Sequence, residues 1–498
     1  MSLRRGAVAV GFAMALGAIG EVPPGYAADS PVLWQKIQTA IDKAKRQDCD
    51  ASLKLLDAVW TDKAFAKLPQ PQRTEAYQAA AFCAMTLDKD DLAHRYAVEG
   101  LRGKEANPYL WNVRIATELN GKRSAEAVET IEAMASSYPG LLNAIPVRWL
   151  YPLAREVQPN TELRRRLLSV LAAPSYQPEE VGVTSDYFKR EYAALLVDSG
   201  DKAGGLALAR SIEDPAMLID ISIDPRLRTA LPPQFDGRAE VERSLAKARE
   251  VAASHPGSMA AVLLVSRYLR MLGRPEDALA TLEAARPDSP QGTTFTDLDE
   301  QRNWWWDDMA RTYQILGRYE DAVGAFRHGI DNQEDGGLNV SQTINLGVAQ
   351  LRFDHPADAL ATISAFETGK YSTSSYGEMQ VHLVRGCAQM ALGQATAAKA
   401  DLDYAAAHEK DAPDALVSLR LCAGDLDGAA AALIRHLDDP DQRSRALLLL
   451  SDFDPAPATY PTSPDERHLI ELKARPDVQA AIARAGGTRR YRLQATEL

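Results

Sequence analysis

Met271–Leu282 reads MLGRPEDALATL, and Ile315–Phe326 reads ILGRYEDAVGAF. In both, an apolar helical run stops at a glycine, a few polar residues follow, and a small residue opens a second apolar run. The glycine permits a tight turn between antiparallel helices. Ala278 and Ala322 let two helices approach closely, and Leu282 and Phe326, four residues on, continue the same helix face. Arg352–Ile363 (RFDHPADALATI), Ala391–Leu402 (ALGQATAAKADL) and Cys422–Leu433 (CAGDLDGAAAAL) repeat the pattern around Ala359, Ala398 and Ala429. The markers recur at intervals from the low thirties to the mid-forties, the range of helix-pair repeats. The spacing predicts an all-α chain.

These residues resemble the tetratricopeptide repeat (TPR). Trp306, Ala310, Tyr313, Gly317, Tyr319, Ala322 and Phe326 fall at the signature spacings of that motif, as do Val262, Ser266, Leu269, Gly273, Ala278, Leu282, Ala285 and Pro290. The copies on Ala359, Ala398 and Ala429 are looser, and Asp354 stands where the turn glycine is usual. Fainter copies precede them: Gly200 with Gly205; Trp111, Ala116, Ala127, Ile131 and Pro139, with the turn out of step by about one residue; Tyr77 with Ala93; and a leading copy over AIDKAKRQDCDASLKLLDAVW. The resemblance implies a right-handed α-solenoid of antiparallel helix pairs, a TPR-like superhelix. The chain also looks like exported bacterial members of this family, which implies nothing beyond the fold.

Two proline-rich stretches interrupt the pattern. IDPRLRTALPPQFDG holds Pro225, Pro232, Pro233 and Gly237, which a helix interior does not tolerate. It predicts a joint over 223–238 between an N-terminal block, 31–222, and a C-terminal block, 239–447. FDPAPATYPTSPDE predicts a linker over 448–465, followed by a helical cap and tail over 466–498. A solenoid needs such a cap on its last apolar face. RWLYPLAREVQPNTELRRRLLSVLAAP reads as helical and matches no repeat.

The N-terminus reads as an export signal over 1–27: MSLRR supplies charge, GAVAVGFAMALGAIG an apolar run, and Gly25 and Ala27 the small residues for cleavage after Ala27 or Ala28. No later stretch is long and apolar enough to span a bilayer. The address expected is the periplasm. There the four cysteines could pair as Cys49/Cys83 and Cys387/Cys422. Equivalent points on stacked repeats, however, lie about 8–10 Å apart, beyond the ~7 Å a disulfide tolerates between Cα atoms. Buried free thiols are the reading that spacing favours, with pairing as the alternative.

Little chemistry is encoded. The formal charge of -12 argues against a nucleic-acid partner, which needs a basic face. The eight histidines form no metal motif, and His382 reads as packed or half-exposed. No phosphate loop or nucleophile elbow is present. Asp307-Asp308 and Asp438-Asp439 are adjacent pairs that diverge by about 100° on a helix and read as solvated. The terminal GGTRRYRLQ reads as a solvated basic end that could touch an acidic partner or anionic lipid. No catalytic residue, metal or cofactor is expected.

A groove is the remaining candidate. The resemblance puts Trp306, Met309, Ala310 and Tyr313 on the core stripe of their helix. It puts Trp304, Asp307, Arg311 and Gln314 on the groove stripe, with Leu263, Arg267 and Arg270 in the preceding repeat and Ile344 in the next, Asn345 lying beside it. Trp and Arg dominate binding hot spots. The expected function is a non-enzymatic exported scaffold that binds another protein. The alternative is a helical polysaccharide-binding or carbohydrate-active envelope protein. Trp305 is expected to pack near Leu282 and Ala285. Trp304 either faces a ligand or packs under QGTTFTDLDEQ.

Overall fold

Among the described residues, nine helix–helix turns share one closure. At each, a single residue takes the left-handed conformation: Gln47, Asp88, Lys122, Gly200, Gly273, Gly317, Asp354, Gly393 and Gly424. Its N–H bonds to the carbonyl three residues back. The following N–H reaches five residues back, from Asp48 to Lys43 at 3.0 Å through to Asp425 to Arg420 at 2.9 Å. These bonds satisfy the last carbonyls of the first helix. The residue that makes the long bond also stands at the N-cap position of the second helix, where Asp201 and Asp425 add a side-chain cap, so one left-handed residue turns the chain back on itself.

The computed structural model describes residues 31–103, 107–287, 294–332, 339–367 and 373–495. The expected export signal, 1–27, lies outside them, as does Pro290. The chain divides into two compact units between Phe188 and Lys189. The stretch 223–238, expected as a joint, lies within the second unit.

The first unit contains α1 (Pro31–Lys45), α2 (Cys49–Trp60), α3 (Gln70–Thr86), α4 (Asp90–Gly100), α5 (Pro108–Asn120), α6 (Ser124–Ser137), α7 (Pro139–Asn143), α8 (Val147–Glu156) and α9 (Thr161–Leu171). The first six form three pairs that close at Gln47, Asp88 and Lys122. The third pair turns at Lys122 (φ +52°) and not at the adjacent Gly121, which accounts for the one-residue irregularity in the sequence. Helices α8 and α9 lack the closure, as their poor match to the repeat implied. Trp60 stacks on Tyr77 at 4.8 Å and meets Phe65 edge-on, sealing α2 against α3.

The division falls within α10 (Asp186–Asp198). The second unit continues with α11 (Lys202–Ala209), α12 (Pro215–Ile223), α13 (Gly237–Ser254), α14 (Met259–Met271), α15 (Pro275–Ala284), α16 (Leu298–Ile315), α17 (Tyr319–Asp331), α18 (Val340–Arg352) and α19 (Pro356–Ile363). It ends with α20 (Ser375–Ala391), α21 (Ala395–Ala407), α22 (Pro413–Cys422), α23 (Leu426–Asp438), α24 (Arg443–Leu449), α25 (Pro464–Lys473) and α26 (Pro476–Ala485). The small markers Ala278, Ala322, Ala359, Ala398 and Ala429 are all fully buried, and Leu282, Phe326, Ile363 and Leu433 continue the core. At Gly205, a Cβ would sit 2.6 Å from the Ala193 carbonyl oxygen, so the close approach there requires glycine. Each unit is thus an all-α array of neighbouring helix pairs, with the turn chemistry and small-residue seam of a TPR-like solenoid.

Both cysteine pairs are joined. Cys49–Cys83 has a Cα–Cα distance of 4.8 Å and Cys387–Cys422 of 5.3 Å. The preference for free thiols fails because the partners are not equivalent points of stacked repeats. Cys387 lies six residues before its left-handed residue (393 − 387) and Cys422 two before its own (424 − 422). The offset is about one helical turn. It brings the sulfurs together where Gly386 lets α20 approach Leu419 of α22. Cys49 opens α2 while Cys83 lies late in α3, so that pair joins a second helix to the following first helix.

The C-terminal segment is a packed strap. Helices α25 and α26 cover α22 and α23. The flanking chain runs back along the intra-repeat turns. Thr459 Oγ1 donates to the Ile315 carbonyl at 3.0 Å. Arg352 makes a two-bond ion pair with Glu466 at 2.8 and 3.0 Å, donates to Pro461 O, and lies over the Tyr460 ring. His468 Nδ1 lies 2.6 Å from the Leu421 carbonyl. The tail then pairs with 452–454 and ends with Gln494 N on Met271 O at 2.9 Å. Tyr491 and Leu493 are buried. The basic terminus is therefore built into the fold. The solvated reading failed because Arg490 and Arg492 point outward while the residues that alternate with them, Tyr491 and Leu493, point in, the period of an extended strand.

Candidate partner-binding surface

The three consecutive tryptophans separate by direction, as 100° per residue requires. Trp305 is fully buried, and its indole N–H donates to the Leu282 carbonyl at 3.0 Å, the neighbour expected from the sequence. Trp306 is only half-buried; it meets Trp305 edge-on at 4.6 Å and stacks on His328 at 4.5 Å. The main core aromatic is therefore Trp305, one position from the expected one. Trp304 is 48% exposed.

The expected groove stripe is partly core. Arg270 is 1% exposed; it donates to Ser266 Oγ at 2.8 Å and pairs with Asp308 at 2.9 Å. Asp307 is 3% exposed and accepts from Arg311 Nε at 2.5 Å and Asn345 Nδ2 at 2.7 Å. Gln314 and Ile344 are also buried. The reason is that first helices of consecutive pairs pack directly on one another, α14 on α16 and α16 on α18. Positions that the spacing placed in the groove lie in those seams. The two aspartates diverge as the helix dictates, but into neighbouring repeats rather than into water. Asp308 reaches back to α14 and Asp307 forward to α18. Asp438 and Asp439 are exposed, as expected.

What remains accessible is Trp304, Arg311, Asn345, Arg267 and Leu263, together with Val348, which is 40% exposed. Asp307 anchors Arg311 and Asn345 from beneath, so two polar groups on adjacent helices are held in fixed positions beside an exposed indole. Such a surface can bury an apolar group on Trp304 and Val348 and bond polar groups through Arg311 and Asn345.

Other polar clusters are internally satisfied. His382 Nδ1 lies 2.6 Å from Asp401 Oδ1, and Arg385 forks onto the same carboxylate. Burial alone would raise the Asp401 pKa. The bonds from His382 and Arg385 outweigh it and hold the carboxyl below the usual range. His382 stacks on Tyr404 at 3.7 Å, a packed histidine as expected. His94, Glu118 and Glu126 bring three potential ligand atoms within 4.8 Å. Arg114 pairs with Glu118 at 2.9 Å and Arg123 lies 3.8 Å from Glu126, so each carboxylate already has a guanidinium counter-charge.

No protein-family model matches the sequence, and comparison with curated proteins finds no match. Among solved structures, one described as Naa15/Naa10 bound to HypK-THB aligns with 95% of this chain and 70% of its own, at 13% identity and a TM-score of 0.28. A likeness of that strength says nothing of what this chain binds. Among the described residues, no helix is long and apolar enough to cross a membrane.

Proposed function

We propose that the chain is a non-enzymatic, exported scaffold that holds a protein partner against the surface of α14, α16 and α18. The observation that carries this reading is Trp304, a large indole left exposed beside the fixed Arg311 and Asn345 although the repeat core does not need it. Helix-pair arrays offer extended binding faces of this kind. The export signal read from 1–27 supports a periplasmic address, and two disulfides suit an oxidising compartment. A carbohydrate-active role would need two carboxylates facing one cleft, and Asp307 and Asp308 are both engaged by neighbouring side chains.

The test is affinity capture from periplasmic extract with the mature protein, alongside Trp304→Ala/Arg311→Ala. A partner retained by the parent and lost by the variant, with unchanged circular dichroism, supports the surface. A partner retained equally by both overturns it.

A further inference from the structure

The strap leaves a cleft against the loop before α13. One cavity, about 380 Å³, is lined by Gln234, Phe235, Asp236, Gly237 and the tail residues Arg489 to Arg492. A second, about 360 Å³, adjoins it through Phe235 and Arg489, and adds Arg228 and an apolar wall of Leu231, Pro232 and Pro233. The walls are fixed. Tyr491 N bonds to Asp452 O at 2.8 Å, the Tyr491 hydroxyl lies 2.7 Å from Ser222 Oγ, and Arg238 Nη1 donates to Arg492 O at 3.2 Å.

Charge in this cleft is unbalanced. The one carboxylate in its lining, Asp236, is already used: one oxygen caps the first turn of α13 at Arg238 N (3.0 Å), and the other pairs with Arg492 at 2.5 Å. Arg228 donates to the Gly486 carbonyl. The guanidinium groups of Arg489 and Arg490 have no carboxylate partner among the described residues. A protein of net charge -12 has thus placed unneutralised arginines on the rim of a preformed cleft with a phenyl and proline wall. Guanidinium forks match planar or tetrahedral oxyanions, and pockets of this kind orient a ligand through a few polar groups on an apolar lining.

We infer that this cleft binds a small amphiphilic anion, its oxyanion held by Arg489 and Arg490 and its apolar part laid on Phe235, Pro232 and Pro233. The site is separate in sequence from the Trp304 surface, and its failure would leave that reading intact. Carboxylate and phosphate share the required chemistry, and the choice of probes separates them.

The experiment is calorimetric titration of the mature protein with phenyl phosphate, benzoate and neutral phenol, repeated on Arg489→Ala/Arg490→Ala. Those side chains make no ion pair among the described residues, and circular dichroism and melting temperature check the variant. Binding of phenyl phosphate or benzoate, weakened roughly tenfold or more in the variant and by added salt, is expected. The stronger of the two anions identifies the oxyanion. A Phe235→Leu variant should weaken both anions without removing the salt dependence. Equal binding of phenol, equal binding by the double-arginine variant, or no heat with either anion at millimolar concentration would overturn the inference.

Discussion

Replacing Gly317 by alanine tests whether the strap is a structural partner of the repeat turns. Gly317 has φ +72°, and an added Cβ would lie 2.6 Å from the Thr459 carbonyl oxygen and 2.9 Å from the Thr459 Cβ. Gly393 is its internal control, with φ +73° and nothing within 4 Å of an added Cβ. Both substitutions incur the left-handed penalty of about 1–2 kcal/mol, partly offset by a stiffer unfolded chain worth roughly 0.4–1 kcal/mol. Gly393→Ala should therefore cost about 1 kcal/mol. Gly317→Ala must also displace backbone that is bonded through Thr459 Oγ1 to Ile315 O. Overpacking adds about 1–3 kcal/mol, and the cost of detaching the strap from the turn sets its upper limit. The expected total is about 2–4 kcal/mol.

Urea unfolding measures the difference between the two variants, and hydrogen exchange locates it. In Gly317→Ala, exchange should accelerate over the strap around Tyr460, whose N–H bonds to Pro457 O. In Gly393→Ala it should not. Equal destabilisation by both variants, or unchanged exchange in the strap, would refute the idea that this segment is pressed against the turn.

Three further outcomes follow from the same packing. Trp304→Ala should leave stability within about 0.5 kcal/mol, whereas Trp305→Ala should cost about 3–5 kcal/mol, because only the second indole is buried and bonded; equal midpoints in urea would contradict the division of the three tryptophans. Cys387→Ser/Cys422→Ser opens a link across 35 residues, for which the chain-entropy model gives about 4 kcal/mol; an unchanged midpoint under non-reducing conditions would argue that the bond does not form. Burial alone would raise the Glu466 pKa, but Arg352 holds it below the usual carboxylate range. Because the folded value is depressed, the contribution is full above the unfolded value of about 4.3 and is lost as pH falls through the lower folded value, so the strap should exchange faster below about pH 4, and Arg352→Gln should remove that dependence.

The repeat was legible wherever its turn is spelled with glycine. Gly200, Gly273, Gly317, Gly393 and Gly424 all take the left-handed position. The three pairs of the first unit use Gln47, Asp88 and Lys122 there, at φ of +52° to +59°. Glutamine and lysine do not announce a left-handed conformation and aspartate does so only weakly beside glycine, so the copies looked faint although their closure is the same. The disulfides were hidden for a related reason. Repeat spacing is not a rigid ruler, and a shift of one helical turn was enough to bring two thiols within bonding distance. The strap was illegible because its partners lie up to 272 residues away, as with Tyr491 and Ile219, and no local pattern encodes such a contact.

The groove shows where spacing stops being informative. A residue at the right interval on a first helix can face either water or the neighbouring first helix, and the two faces are separated by less than one residue's rotation. Arg270, Asp307, Gln314 and Ile344 fell on the packed side and Trp304, Arg311 and Val348 on the open side. The polarity of the buried residues hid this, since arginine and aspartate suggest solvent. They are tolerated there because each finds a partner: Arg270 with Asp308, and Asp307 with Arg311 and Asn345. Removing the buried Arg270 breaks its pair with Asp308 and should cost up to about 3–5 kcal/mol in urea unfolding. Asn345→Ala should cost less than Arg270→Ala, because Asp307 would keep Arg311 while Asp308 would lose its guanidinium partner. The polar seam therefore does two things at once. It fixes the register of α14, α16 and α18, and it holds Arg311 and Asn345 still beside Trp304, the condition for a binding surface whose ordering cost is met before the partner arrives.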